Sequence, residues 1–598
     1  MRTFAPAAGF RLRDFSIISM PDLALCRSLI RRPWPPALDT VDAGGNTRAR
    51  QYTKGGSEVR SPFQLRAVRV RGWTHTAVVA VVLLAVVLGS ALTACRSEPS
   101  RPSSSSLLRL ASVESLTTWD PRASAADEPL YLANVYEPLL YSNPPGSAQP
   151  FSPCLATSWE VSKDGLTWTF HLRQGVKFHD GTPFTSAAVK YSYEATKELG
   201  VGSSYIWFPV AEITTPDDYT VKVTTKYPVP LERVASSMYG AWIFSPKTEG
   251  ESRAWWDAPH EDGTGPYELV SYKPDQEVVF KRFPDYWGGW KPGQYSQVVV
   301  QQVSDPTTQR QMLESGQVDI VDGLSFDDIP AMQNNPAVKI VKLHSEQNEL
   351  LLFNTTRPPL DNVLVRQALS YALPYQDLLT AGANGYGEIS QGPLPHDLYP
   401  HDASMGQYTT DLAKAKQLLA EAGYPNGGFK LLMTYASDST FGPKFVPLVK
   451  EAFAKIGVTV DLQPLLFEQQ WAKARGPVQD RQDIFELLWW PGFPDGYDTL
   501  YSLFHTGIPG KPVFELAYWS DKSYDSLVDG AFSYEPTDPA KAQELYNQAQ
   551  QMLYEQAPAA YLFDPDRVFG LNPSLELQPM TALNVNYTGV VFWYRVSG

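Results

Sequence analysis

The sequence predicts an α/β protein of more than one domain, and three observations carry that expectation. First, 598 residues exceed what one ordinary hydrophobic core supports. Second, a strand-helix-strand unit is legible. Asp305-Pro306 supplies a capping acid with proline at the first helical position, the helix stops near Gly316, and Val318 to Val321 follows as a strand. Third, a hairpin, a tight turn and a helix start succeed one another between Ser158 and Glu194.

That stretch justifies its elements residue by residue. Asp164-Gly165 is the pair that tolerates the positive φ values of a two-residue hairpin turn. Leu166 to Leu172 then alternates apolar and polar positions, as a half-buried strand does. His179-Asp180-Gly181 reads as a second turn whose side chains bond local backbone, and Thr185 as the N-cap of the next helix. Farther along, Tyr219 to Thr225 and Glu277 to Phe283 read as strands. Leu351 to Leu373 runs from an apolar strand through a Pro-Pro turn into a helix. Asp411 to Gly423 carries Leu412, Ala415, Leu418, Leu419 and Ala422 on one stripe, with glycine at the C-terminal stop. Asp538-Pro539 opens a long helix through Leu553, and no internal repeat is visible.

Hydrophobic residues at 43% and charged residues at 19% are globular proportions. With 16 Trp, 31 Tyr and 27 Phe, the chain suits an aromatic-lined cleft and a large core equally well. Residues 1–71 hold 13 Lys or Arg and 5 Asp or Glu, a balance of +8, which leaves −22 on the rest of a chain totalling −14. An acidic body argues against nucleic acid as partner, since phosphate neutralisation needs a basic surface. Three cysteines, Cys26, Cys95 and the solitary Cys154, imply no disulfide framework.

Residues 1–76 show no sustained period and are expected to form a disordered extension ending in a basic signal n-region. A true start at Val68 or Val70 would shorten that region. Ala77 to Leu88 is an unbroken run of Ala, Val and Leu, the length of a signal-peptide core and short for a membrane span. Leu92-Thr93-Ala94-Cys95 follows and resembles the lipobox of bacterial lipoproteins, which implies acylation of Cys95; the alternative is an uncleaved anchor. Residues 95–106, rich in Ser and Pro, read as a lipid-anchored tether.

The stretch from Ser158 to Glu194 resembles the signature of the bacterial extracellular solute-binding proteins of family 5. Trp119-Asp120-Pro121, Tyr136-Glu137-Pro138-Leu139, Gly263-Thr264-Gly265-Pro266-Tyr267 and Pro284-Asp285-Tyr286-Trp287 are similar to further motifs of that family, in its order. The resemblance implies a two-lobed, type II periplasmic-binding-protein-like fold with an extra subdomain in the first lobe. The expected boundaries are 107–351 for lobe 1 with its insertion, 352–566 for lobe 2, and 567–598 for the return to lobe 1.

The same resemblance implies a binding protein of an ABC importer, expected to be monomeric, lipid-anchored outside the cytoplasm, and partnered by permease and ATPase subunits. No phosphate loop, zinc helix, nucleophile elbow or paired-cysteine motif is present, so no enzyme, cofactor or metal is expected. An envelope enzyme and a non-transport receptor or chaperone on this fold remain the alternatives.

The favoured cleft segment is Leu487 to Phe504, whose prolines and glycines are expected to preclude a regular element. It offers Trp489, Trp490, Phe493, Asp495 and Tyr497 to a ligand. In peptide-binding relatives a loop Asp pairs with the peptide amine. Aligning Trp489 with their Trp puts Gly492 at that position, which shifts the expectation toward a saccharide or other uncharged solute. Glu114 and Tyr205 fall near positions where relatives contact ligand.

Overall fold

The computed structural model describes residues 107–126, 128–507, 514–578, 589–591 and 594–596. The extension, the apolar run, Cys95 and the tether lie outside the described residues.

A mixed sheet of 12 strands runs through both lobes. In the first lobe Leu107–Ser112 lies parallel to Gln297–Gln302 on one side and to Ile320–Val321 on the other. The helix Pro306–Glu314 makes the connection between those two flanking strands, and Asp305 caps it by accepting from the Thr308 amide at 2.7 Å. Glu277–Arg282 and Tyr267–Lys273 extend this half antiparallel. In the second lobe Lys430–Ala436 lies between Thr459–Leu465 and Ile484–Trp489, parallel to both, and Asn348–Phe353 closes antiparallel on Ile484–Trp489.

One strand, Ala559–Leu571, belongs to both halves. Its first part pairs with Asn348–Phe353 and with Gly387–Ile389, and its last part with Lys339–His344 and Ile320–Val321. Apolar residues fill its two ends, while Asp564-Pro565-Asp566 interrupts the middle. Proline has no N–H to give a ladder, so the changeover falls where pairing is weakest. The chain thus passes between lobes at 345–347 and at 564–566. The first passage lies before residue 351, where the apolar strand had suggested the boundary.

An inserted subdomain carries its own four-stranded antiparallel sheet, ordered Ala156–Val161, Thr167–Leu172, Thr220–Thr225, Val210–Asp217. The hairpin is present, but its turn is wider than two residues. Ser162 and Thr167 close a loop around Lys163 to Leu166, and Gly165 alone takes positive φ, at 72°. The helix Ser186–Leu199 buries Ala188, Val189 and Tyr193 in the subdomain core.

The separated motifs converge on one buried acid. Glu137 accepts from the Tyr286 hydroxyl, the Trp287 indole and the Thr264 hydroxyl, each at 2.8 Å. Burial pushes its pKa up and these bonds pull it back. Gly263 packs so close that a Cβ there would stand 1.9 Å from the Val135 carbonyl.

His179 corrects the local-turn expectation. Its Nδ1 meets Glu261 Oε2 at 2.6 Å and its Nε2 meets the Gly265 carbonyl at 2.8 Å. Both partners are acceptors, so the ring is held doubly protonated. Burial is the largest influence and opposes that charge, but Glu261, the Gly265 carbonyl and Glu268 together raise the pKa. Asp180 does bond locally, to the Thr182 amide and hydroxyl. Cys154 is fully buried 3.9 Å from Glu137, and burial pushes its thiol pKa up.

Candidate functional site

A cavity of about 290 Å³ lies where the two lobes and the two crossovers meet. The first lobe contributes Leu110, Ala111, Glu114, Leu130, Asp322 and Phe569, and the second contributes Leu488, Trp490 and Pro491. Ser345, Glu346 and Gln347 from one crossover, Arg567 just past the other, and Met238 and Tyr239 also line it. A solute here would touch both lobes and both connecting strands. Its volume is at the lower end of small-molecule pockets.

The loop expected to face the ligand is shorter than its prolines and glycines suggested. Ile484–Trp489 is a strand and Gly496–Phe504 is a helix, leaving only 490–495 irregular. Asp495 caps that helix by accepting from the Tyr497 amide at 2.7 Å. An Asp cap followed by Leu500, Leu503 and Phe504 at helical spacing was the readable signal.

The candidate residues divide accordingly. Trp490 and Glu114 line the cavity. Trp489 ends its strand half-buried, 5.4 Å edge-on from Phe514. Phe493 is 4% exposed and packs within the core of the inserted subdomain. Tyr497 stacks on Phe532 at 3.7 Å, and Tyr205 donates to Asp498 at 2.9 Å. Asp495 is fully buried. Phe493, Asp495, Tyr497 and Tyr205 therefore sit in the contact between subdomain and second lobe, away from the cavity lining.

That contact is built around Arg233, whose Nε lies 2.8 Å from Asp495 and 3.0 Å from Glu535. The same guanidinium covers the Tyr399 ring at 4.0 Å and donates to the Pro494 carbonyl. Ser237 donates to the Gly492 carbonyl at 2.8 Å. Burial raises the pKa of Asp495 and Glu535, takes Glu232 to about 7, and takes Asp498 to about 6. Gly492 has no room for a side chain, because a Cβ would stand 2.2 Å from the Tyr205 hydroxyl. The position where peptide-binding relatives would place their acid is thus filled by a tyrosine.

Sequence reasoning missed Arg567, Asp322 and Glu346 in the cavity, and Arg233 and Glu535 in the contact. None lies in a motif, and Arg567, Asp322, Arg233 and Glu535 meet their partners across hundreds of residues. Among the described residues no group of three or more His, Cys, Asp or Glu could hold a metal ion.

Two lobes joined by two crossovers around a small cavity define a solute-binding protein of the type II, periplasmic kind. The chain belongs to the bacterial extracellular solute-binding proteins, family 5, whose model matches residues 150–511. Heme-binding protein A of Haemophilus influenzae is 30% identical over 68% of this chain and 77% of its own length. A glutathione-binding protein of Pectobacterium atrosepticum is 30% identical over 68% of this chain and 79% of its own. Among solved structures, the periplasmic binding protein DppA of Helicobacter pylori, in complex with the peptide STSA, superposes with a TM-score of 0.70 at 25% identity. That likeness covers 82% of this chain and 98% of the other. The chain is accordingly an extracytoplasmic binding protein of the ABC-transport class and not an enzyme.

Proposed function

We propose that this chain is the substrate-binding lipoprotein of an ABC importer. It captures an oligopeptide, oligosaccharide or related small solute between its lobes and delivers it to the permease. The observation that carries this reading is the cavity, walled by both lobes and lined by one crossover and by Arg567 next to the other, so that one bound solute bears on parts that move in closure. Relatives named for heme and glutathione, and a neighbour holding a peptide, agree with a small organic cargo. Calorimetric titration with peptide and oligosaccharide panels tests it. Trp490→Ala is expected to weaken binding roughly tenfold through lost burial and stacking. Wild-type affinity in that variant would place the solute elsewhere.

Cys95 is the proposed lipid anchor, and residues 1–94 are then absent from the mature protein. One acyl chain holds only marginally, so retention needs the several chains of a bacterial lipoprotein. Cys95→Ser is expected to move the protein from the membrane to the soluble fraction; continued membrane association would favour the uncleaved anchor.

A further inference from the structure

Two acids lie side by side inside the second-lobe sheet. Glu349 stands opposite Leu488 on one side and Phe563 on the other, and Glu486 stands opposite Leu351, two residues farther along the same ladder. Positions two apart on a strand share a face, so the two side chains are diagonal neighbours on one face of the sheet. Both are buried, Glu349 completely, and their carboxyl groups lie within hydrogen-bonding reach of each other. Among the described residues no lysine, arginine or histidine pairs with either.

Their surroundings differ. Glu486 Oε2 accepts the Ala436 amide at 3.2 Å, and the helix Gly442–Ala454 starts so close that a Cβ on Gly442 would stand 2.6 Å from Glu486 Oε1. A backbone amide and a helix N-terminus both favour a negative charge. Glu349 has neither, and as a carboxylate it leaves both buried oxygens without a partner among the described residues. Two adjacent carboxylates there would repel each other and lose their water uncompensated. One proton removes both costs. Carried by Glu349 and donated to Glu486, it gives the orphaned group a bond and leaves the single charge where the amide and the helix start face it. Charged groups on the packed elements are engaged elsewhere. Lys444 of the same helix pairs with Asp327, Asp564 beside Phe563 accepts from Ser390 and Asn348, and Asp377 and Glu468 are exposed. Gln470 is neutral and donates to the Glu486 carbonyl. Burial raises the pKa of both acids, and the charge of Glu486 raises that of Glu349 further.

We propose that Glu349 and Glu486 form a proton-binding site: folding of the second lobe takes up one proton and holds it between the two carboxyls, and the lobe weakens as its surroundings become alkaline. In the unfolded chain both acids are ordinary glutamates, deprotonated above about pH 5. Below the ordinary carboxylate range both states hold the proton and the stabilisation is complete. It is lost progressively as pH rises from there, because only the folded lobe still keeps the proton. Leu488, opposite Glu349, lines the cavity, so the second-lobe wall of the cavity rests on this pair and is firmest in acid surroundings.

The test is a set of urea melts on the intact protein and on Glu349→Gln, from pH 5.5 to about 8. The amide of that variant donates to Glu486 without needing a proton. The wild-type unfolding constant is therefore expected to rise relative to the variant's by about tenfold per pH unit, the signature of one proton. Other buried acids titrate alike in both proteins and drop out of the ratio. Infrared absorption of protonated carboxyls at pH 7 is expected to be weaker in the variant. Circular dichroism at pH 5.5 establishes that it folds; should it not, Glu486→Gln, which offers the same amide donor to Glu349, is expected to flatten the wild-type slope as well. A ratio independent of pH, or an unchanged infrared band, overturns the proposal. So does stabilisation by sodium or calcium that vanishes in Glu349→Gln, which would assign the pair to a metal ion.

Discussion

Glu137 accepts from Tyr286, Trp287 and Thr264, so leucine at this position would remove the acceptor of three hydrogen bonds. Orphaned donors cost about 1–3 kcal/mol each, partly offset by no longer burying a carboxylate. Glu137→Leu is therefore expected to lower unfolding stability by about 2–4 kcal/mol in urea melts, with ligand affinity nearly unchanged in the folded fraction. A loss below about 1 kcal/mol would mean that the motifs converge on this acid without depending on it. The motifs themselves were legible in the sequence, because their residue types are unusual and ordered. Their common target was not, since Glu137 and Trp287 stand 150 positions apart. The same limit hid Arg567, which meets Glu114 across 453 positions.

Between the inserted subdomain and the second lobe, one guanidinium faces several acids, and this sets a pH dependence. Arg233 is approached by Asp495 and Glu535, with Glu232 beside it in its own helix; Tyr399 and Tyr546 pack on the cluster, and Asp498 and Tyr205 lie next to it. Every one of these carboxylates has its pKa raised by burial, Asp498 to about 6 and Glu232 to about 7. A contact that raises an acid's pKa binds protons that the separated surfaces have released. The contact is thus tightest below the ordinary carboxylate range and weakens as pH rises through about 4 to 7. Ligand-free protein is expected to become more compact in small-angle scattering as pH falls from 7.5 to 5.5. Glu232→Gln should remove much of that change, because one oxygen of Glu232 is buried without a hydrogen-bond partner among the described residues. A radius independent of pH would contradict the assignment. At this scale the sequence misled in a definite way. Prolines and glycines confined to 491–496 were read as breaking the whole of 487–504, although an Asp cap and an apolar stripe marked the helix after them.

Across the whole molecule, the two lobes hold a strand in common, and a strand cannot melt in one sheet while keeping full pairing in the other. Heating is therefore expected to give one transition in which the signals of a fluorescent label attached to the first lobe and of one attached to the second, each read in a singly labelled protein, coincide. Two resolved transitions would show that the break at Pro565 uncouples the lobes. Alternation and helix caps announced the α/β class and most elements. The passage at 345–347 was misplaced because apolar alternation continues on both sides of it, and only pairing partners reveal where the chain changes sheets. The shared strand also fixes an order of events. Residues 559–571 follow every other strand of the large sheet in the chain, so both halves of that sheet wait for them. A chain delivered N-terminus first has to hold its two unfinished lobes open until this strand arrives, because its partners pair across more than 200 positions. That delay leaves the growing polypeptide exposed to proteases and aggregation until this strand is in place.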